Sequence, residues 1–205
     1  MKKIIGVLAV ALLSATVSCN VKNDQEHEHN NMHENGMHSD SHDGHEHSNM
    51  EESARVITQN INKNSATSAI LDAYFEIKNG LVADSKEKTA NGGSSLLVAF
   101  SKFDMSTLSE DVHKEYMEIQ ESAKEHAEHI IKSPIDHQRE HFEDLSKDIT
   151  DLVTLLGTDK VVYQDFCPMV HKDKGAYWLS ETKEITNPYF GSKMMKCGSV
   201  KKQFN

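Results

Sequence analysis

The sequence predicts a mainly α fold: an antiparallel four-helix bundle with a small C-terminal β-hairpin and loop lobe that carries a Cys/Met site. Three observations predict it. Apolar residues recur at helical spacing in four successive segments, the connections between those segments are short, and the texture turns β-branched and aromatic after Gly157. The 205 residues then divide into 1–18, 19–52, 53–157 and 158–205, with the last two forming one domain.

The first segment is read as an export signal. Lys2 and Lys3 precede an apolar run over 4–13, and small residues lead to Cys19. Thr16-Val17-Ser18-Cys19 resembles a lipoprotein processing site, so Cys19 is expected to be lipidated and to become the mature N-terminus. The mature chain is then expected in the cell envelope, tethered through its lipid to a membrane on the periplasmic face or at the outer membrane. The 4–13 run is too short to span a bilayer. A net charge of −10 argues against a nucleic-acid partner.

Residues 20–52 contain almost nothing apolar, and disorder is expected because so little surface can be buried against the ordering entropy. The tract carries His27, His29, His33, His38, His42, His45 and His47, with Met32, Met37 and Met50 among carboxylates and amides. Histidine at this density is a compositional signal for metal binding, and neutral imidazole suits Cu(II), Ni(II) and Zn(II). A solvated acidic spacer is the plainer reading of the same tract.

The body begins near Ser53. Ala66, Ala69, Ile70, Ala73, Ile77 and Leu81 mark the first helix, and Leu96, Phe100 and Phe103 give a second stripe after the weak Asn91-Gly92-Gly93 stretch. Thr107 with Glu110 is read as a capping box for a third helix through Leu108, Val112, Ile119, Ala123, Ala127 and Ile130. Ser133-Pro134 opens a fourth helix through Phe142, Leu145, Ile149, Leu152 and Leu156, which ends at Gly157. Residues 161–166 and 176–179 then read as the strands of a small hairpin around Lys172-Asp173-Lys174-Gly175, and the 194–197 segment as a turn or short helix.

With Cys19 lipidated, Cys167 and Cys197 are the remaining thiols, and an oxidising compartment makes them a disulfide or a ligand pair. Met169 follows Cys167 by two residues and Met194 precedes Cys197 by three. Soft sulfur donors of this kind select Cu(I), and also Ag(I). A disulfide that merely staples the lobe needs neither methionine, and both alternatives stand at this point.

The elements Cys167-Pro168-Met169, Gly175-Ala176-Tyr177-Trp178-Leu179-Ser180, Asn187-Pro188-Tyr189-Phe190-Gly191 and Met194-x-x-Cys197-Gly198 resemble the DUF3347 family of Bacteroidetes envelope proteins. Gln138-Arg139 and residues 142–146 fit it as well, and the similarity extends over roughly 66–200, with its strong motifs after Val161. The resemblance implies stand-alone lipoproteins or domains attached to heavy-metal efflux adaptors, hence copper or silver handling. Carried over by position, the sulfur ligands are Cys167, Met169, Met194 and Cys197.

Histidines in the body give further candidates. A wheel at about 100° per residue puts His126 inside the apolar stripe of the third helix, where burial is expected, and His129 shares its side. His137 and His141 form an i, i+4 pair able to grip one ion, and His171 lies near Cys167 and Met169 as an added ligand. His137-x-x-Glu140-His141 also matches the pattern of inverted zinc peptidases, with Glu140 as base and Glu181 or Glu184 as third ligand. Arg139 reads as an ion-pair or carbonyl donor. No nucleophile elbow or phosphate-cradling loop occurs, so a non-enzymatic binder of heavy-metal ions is expected: Cu(I) first, silver or zinc as alternatives, with efflux components as partners. The competing readings are a disulfide-stapled interaction domain and a zinc hydrolase.

Overall fold

The computed structural model describes residues 63–205. The export segment, Cys19, the tail histidines and the expected start at Ser53 lie outside the described residues. The Asn64 side-chain oxygen accepts the Ala66 N–H and starts a 3₁₀ turn, Ser65–Thr67, which runs into α1 (Ser68–Val82). Ile70, Tyr74, Ile77 and Leu81 recur every three or four residues in α1 and are buried, whereas Ala66 and Ala69 are exposed. The chain continues through α2 (Lys86–Lys102), α3 (Glu110–Lys132) and α4 (Ile135–Leu156). Each of these helices packs on the next, and α1 also meets α4. Among the described residues no helix is long and apolar enough to cross a membrane.

Two local expectations are corrected. The Asn91-Gly92-Gly93 stretch is no interruption: α2 runs through it from a Ser85 cap whose hydroxyl accepts the Lys88 N–H. The reason is tertiary. A Cβ on Gly92 would stand 2.6 Å from the Ile77 backbone nitrogen, and one on Gly80 would stand 2.5 Å from the Thr89 nitrogen, so the two glycines let α1 and α2 approach closely. The loss of helix propensity at glycine, about 1 kcal/mol, is offset by that contact. The Thr107–Glu110 capping box does not form either. Thr107 closes a separate 3₁₀ turn, Met105–Thr107, capped by Asp104, and α3 starts afterwards behind Ser109. At the next junction Pro134 holds the N-cap position of α4, and Gly157 (φ 77°) ends that helix.

The expected hairpin is two strands of a three-stranded antiparallel sheet in the order β2-β1-β3. These are β1 (Val162–Cys167), β2 (Ala176–Ser180) and β3 (Ser199–Phe204). Asp165 lies opposite Trp178 and Cys167 opposite Ala176, all four buried, and a register shift at Gln164/Asp165 bends β1 against β3. The connection between β1 and β2 contains three consecutive non-glycine residues at positive φ, His171, Lys172 and Asp173.

Helices and sheet share one core. The buried Tyr74 hydroxyl bonds Ser146 Oγ at 2.7 Å and accepts the Leu179 N–H at 3.0 Å, tying α1, α4 and β2 together. Lys78 is also buried on α1, and its ammonium reaches Glu181 at 2.9 Å at the sheet's edge. A paired buried charge of this kind costs several kcal/mol if one partner is removed.

Candidate metal centre between the third and fourth helices

The two-residue link Ser133-Pro134 reverses the chain, so the last turns of α3 face the first turns of α4. Histidines three apart on α3, His126 and His129, thereby meet histidines four apart on α4, His137 and His141. One ligand atom each from His129, His137 and His141 lies within 4.8 Å of the other two, the one such group of three or more among the described residues. His141 is the centre. Its Nε2 is 3.1 Å from His137 Nε2, its Nδ1 is 3.1 Å from His126 Nδ1, and its ring stacks on that of His129 with centroids 4.4 Å apart. His137 Nδ1 donates to Glu140 Oε2 at 2.5 Å.

Burial, and then the positive charge that His129, His126 and His137 would carry, push the His141 imidazole down to about 4. It is therefore neutral at ordinary pH, with a lone pair to offer. His126, expected to be buried, is half-buried: it sits at the edge of the α3 stripe, where Ala123, Ala127 and Ile130 fill the interior. His129, expected on the same side of α3 as His126, is exposed, and the register of α4 against α3 brings His137 and His141 to it.

The flanking residues of α4 face elsewhere. Arg139 donates to the carbonyls of Pro188 and Leu81 and pairs with Asp84, as expected of a structural donor. Hydrogen bonds from Ser192 and then the Arg139 guanidinium hold the Asp84 carboxyl down at about 2. The buried Gln138 amide donates to Ile130 and Lys86 carbonyls, joining α4 to the ends of α3 and α2. Glu181, offered as a third peptidase ligand, pairs with Lys78, and Glu184 pairs with Lys196.

The sulfur residues fall into a different arrangement. Cys167 and Cys197 form a disulfide, Cα atoms 5.7 Å apart, rather than the ligand pair that was the other alternative open in the sequence; joined to each other, the two sulfurs offer no thiolate. Met169 is exposed beyond β1. Met194 follows the 3₁₀ turn Gly191–Lys193, and its carbonyl accepts the Cys197 N–H in a turn, so the pair does not share a helical face. The His171 imidazole contacts the Glu143 carboxylate of α4. Buried Asn187 holds this end of the chain, donating to the Cys197 carbonyl and accepting the Tyr189 and Phe190 N–H groups.

Residues 70–160 match one family model, DUF3347, described as a protein of unknown function. The match to DUF3347 spans less than half of the 205-residue chain. DUF3347 is the family that the motifs resemble, but the matched residues cover α1 to α4 and end before β1. All four clustered histidines therefore lie within the DUF3347 match, whereas the cysteines and methionines of the C-terminal motifs lie beyond it. No curated protein and no solved structure matches the chain significantly.

Proposed function

We propose that this protein binds heavy-metal ions in the cell envelope, for sequestration or hand-over, and that the folded domain does so through the imidazole cluster on α3 and α4. One observation carries the reading: three imidazole nitrogens from two helices converge within 4.8 Å around a ring held neutral by its surroundings. Such donors suit borderline ions, Zn(II), Ni(II) and above all Cu(II). The lipid anchor at Cys19, the histidine tract as a loose collector, an efflux assembly as the receiving partner and an antiparallel four-helix bundle as the scaffold complete the proposal.

A second reading keeps Cu(I) or Ag(I) at Cys167, Met169, Met194 and Cys197. It is favoured by the closeness of the two cysteines, and it requires their reduction first. The hydrolase reading would use Glu140 as base, and one oxygen of that carboxylate accepts the His137 Nδ1–H. The test is equilibrium dialysis of the full chain with its seven tail histidines replaced by asparagine. One tightly held Zn(II) or Cu(II) per chain is expected, lost in His137→Ala and His141→Ala and retained in Cys167→Ser/Cys197→Ser. Loss in the cysteine variant alone would transfer the site to the sulfurs.

A further inference from the structure

We infer that His129, His137 and His141 are the ligands of a single borderline divalent ion, that Glu140 and His126 hold two of those rings from outside, and that the ion keeps a fourth position for an exogenous donor. The inference rests on the metal-binding reading above and adds to it the division of roles and the open position.

Hydrogen-bond logic divides the roles. A ligating nitrogen needs a free lone pair, and a neutral imidazole has one such nitrogen and one N–H. His137 commits its Nδ1–H to Glu140, which leaves Nε2 as its ligand atom. His141 Nε2 stands 3.1 Å from that atom. Two nitrogens on a tetrahedral ion with bonds of about 2.05 Å stand about 3.3 Å apart, so this pair needs to open very little. When His141 ligates through Nε2, its proton sits on Nδ1, 3.1 Å from His126 Nδ1. His126 must then accept that proton's hydrogen bond and carry its own proton on Nε2. It faces the wrong nitrogen of His141 to join the same ion.

The ion thus takes the place of the proton now shared between the two Nε2 atoms, and that proton returns on His141 Nδ1 by exchange with solvent. Both inner rings end with their second N–H on an acceptor, an arrangement that orients ligating histidines and raises their basicity. His129 completes the set by a rotation of its exposed side chain. Three protein donors leave a four-coordinate ion one place, the condition for ligand exchange. The rim is solvent-facing, with the His137 side chain 43% and the Glu140 side chain 64% exposed, so a small anion or the side chain of an accepting protein can reach that place.

Co(II) serves as the probe, in the full chain with the seven tail histidines replaced by asparagine. The parent is expected to give the intense visible band of a four-coordinate ion, and azide is expected to shift it. Glu140→Gln and His126→Phe should each weaken binding about 10- to 100-fold while keeping one ion per chain. His129→Ala and His137→Ala should abolish the band with helical circular dichroism unchanged. The inference is overturned if His126→Phe removes the band as fully as His137→Ala, if Glu140→Gln leaves affinity unchanged, or if azide leaves the spectrum unmoved. Absence of any Co(II) uptake by the parent instead overturns the metal-binding reading itself.

Discussion

The α3–α4 histidine face and the C-terminal sheet segment both concentrate metal-loving side chains, and the fold treats them in opposite ways. On the helices, the donors are left uncombined on a half-exposed face, with hydrogen bonds that orient them. In the sheet segment, the two cysteines are spent on each other, and Cys167 is buried. Donor count therefore says less about a site than what else each donor is bonded to. The same contrast appears in titration. Burial pushes His141 on the helices down to about 4, and pushes Asp165 on β1 up to about 7, the latter partly offset by Lys78.

Breaking the disulfide should give the largest effect. It closes a 30-residue separation, for which the chain-entropy relation gives about 3.6 kcal/mol. Urea unfolding of Cys167→Ser/Cys197→Ser is expected to show a loss of that size while Co(II) uptake persists; loss of both would mean that the two regions are not separable. Next is Gly92→Ala, which drives a methyl toward the Ile77 backbone and should cost about 1–3 kcal/mol by overpacking, although alanine is the better helix former. A stabilised variant would show that α1 and α2 can separate freely.

Two pH dependences, which have opposite signs, probe the electrostatic side of the contrast. Folded Asp165 keeps a proton that the unfolded chain releases above its ordinary value of 3.8, so its contribution to stability falls as pH rises through about 4 to 7. Asp165→Asn should therefore stabilise more at pH 8 than at pH 4. Folded His141 refuses a proton that the unfolded chain accepts below its ordinary value of 6.5, so stability falls as pH drops from 6.5 toward 4. His141→Gln, measured with chelator present, should flatten that decline. Identical pH profiles for the variants and the parent would remove the electrostatic half of the contrast.

The helices were legible because burial imprints a period near 3.6: Ile70, Ile77 and Leu81 on α1, or Phe142, Leu145 and Ile149 on α4, can face inward only from a helix. β3 was illegible for the converse reason. It is an edge strand, exposed along Ser199-Val200-Lys201-Lys202-Gln203, and nothing buries an alternating face. The histidine pair four apart on α4 was readable in isolation. His126 and His129 on α3 were candidates too, but the sequence did not join them to that pair, because a wheel shows where a side chain points on its own helix but not the register of the helix that meets it. Glu140 shows the same limit: the motif gives its spacing from His137, and only the rotamers show that its carboxylate accepts the His137 Nδ1–H.

Arg139 sits between His137 and His141 in sequence, yet its guanidinium grips two carbonyls and Asp84 on another side of α4. A helix clamped at that point cannot roll about its long axis. The angular setting of the imidazoles is thus indexed from behind, before any ion arrives, so capture need not spend binding energy on turning the helix into place.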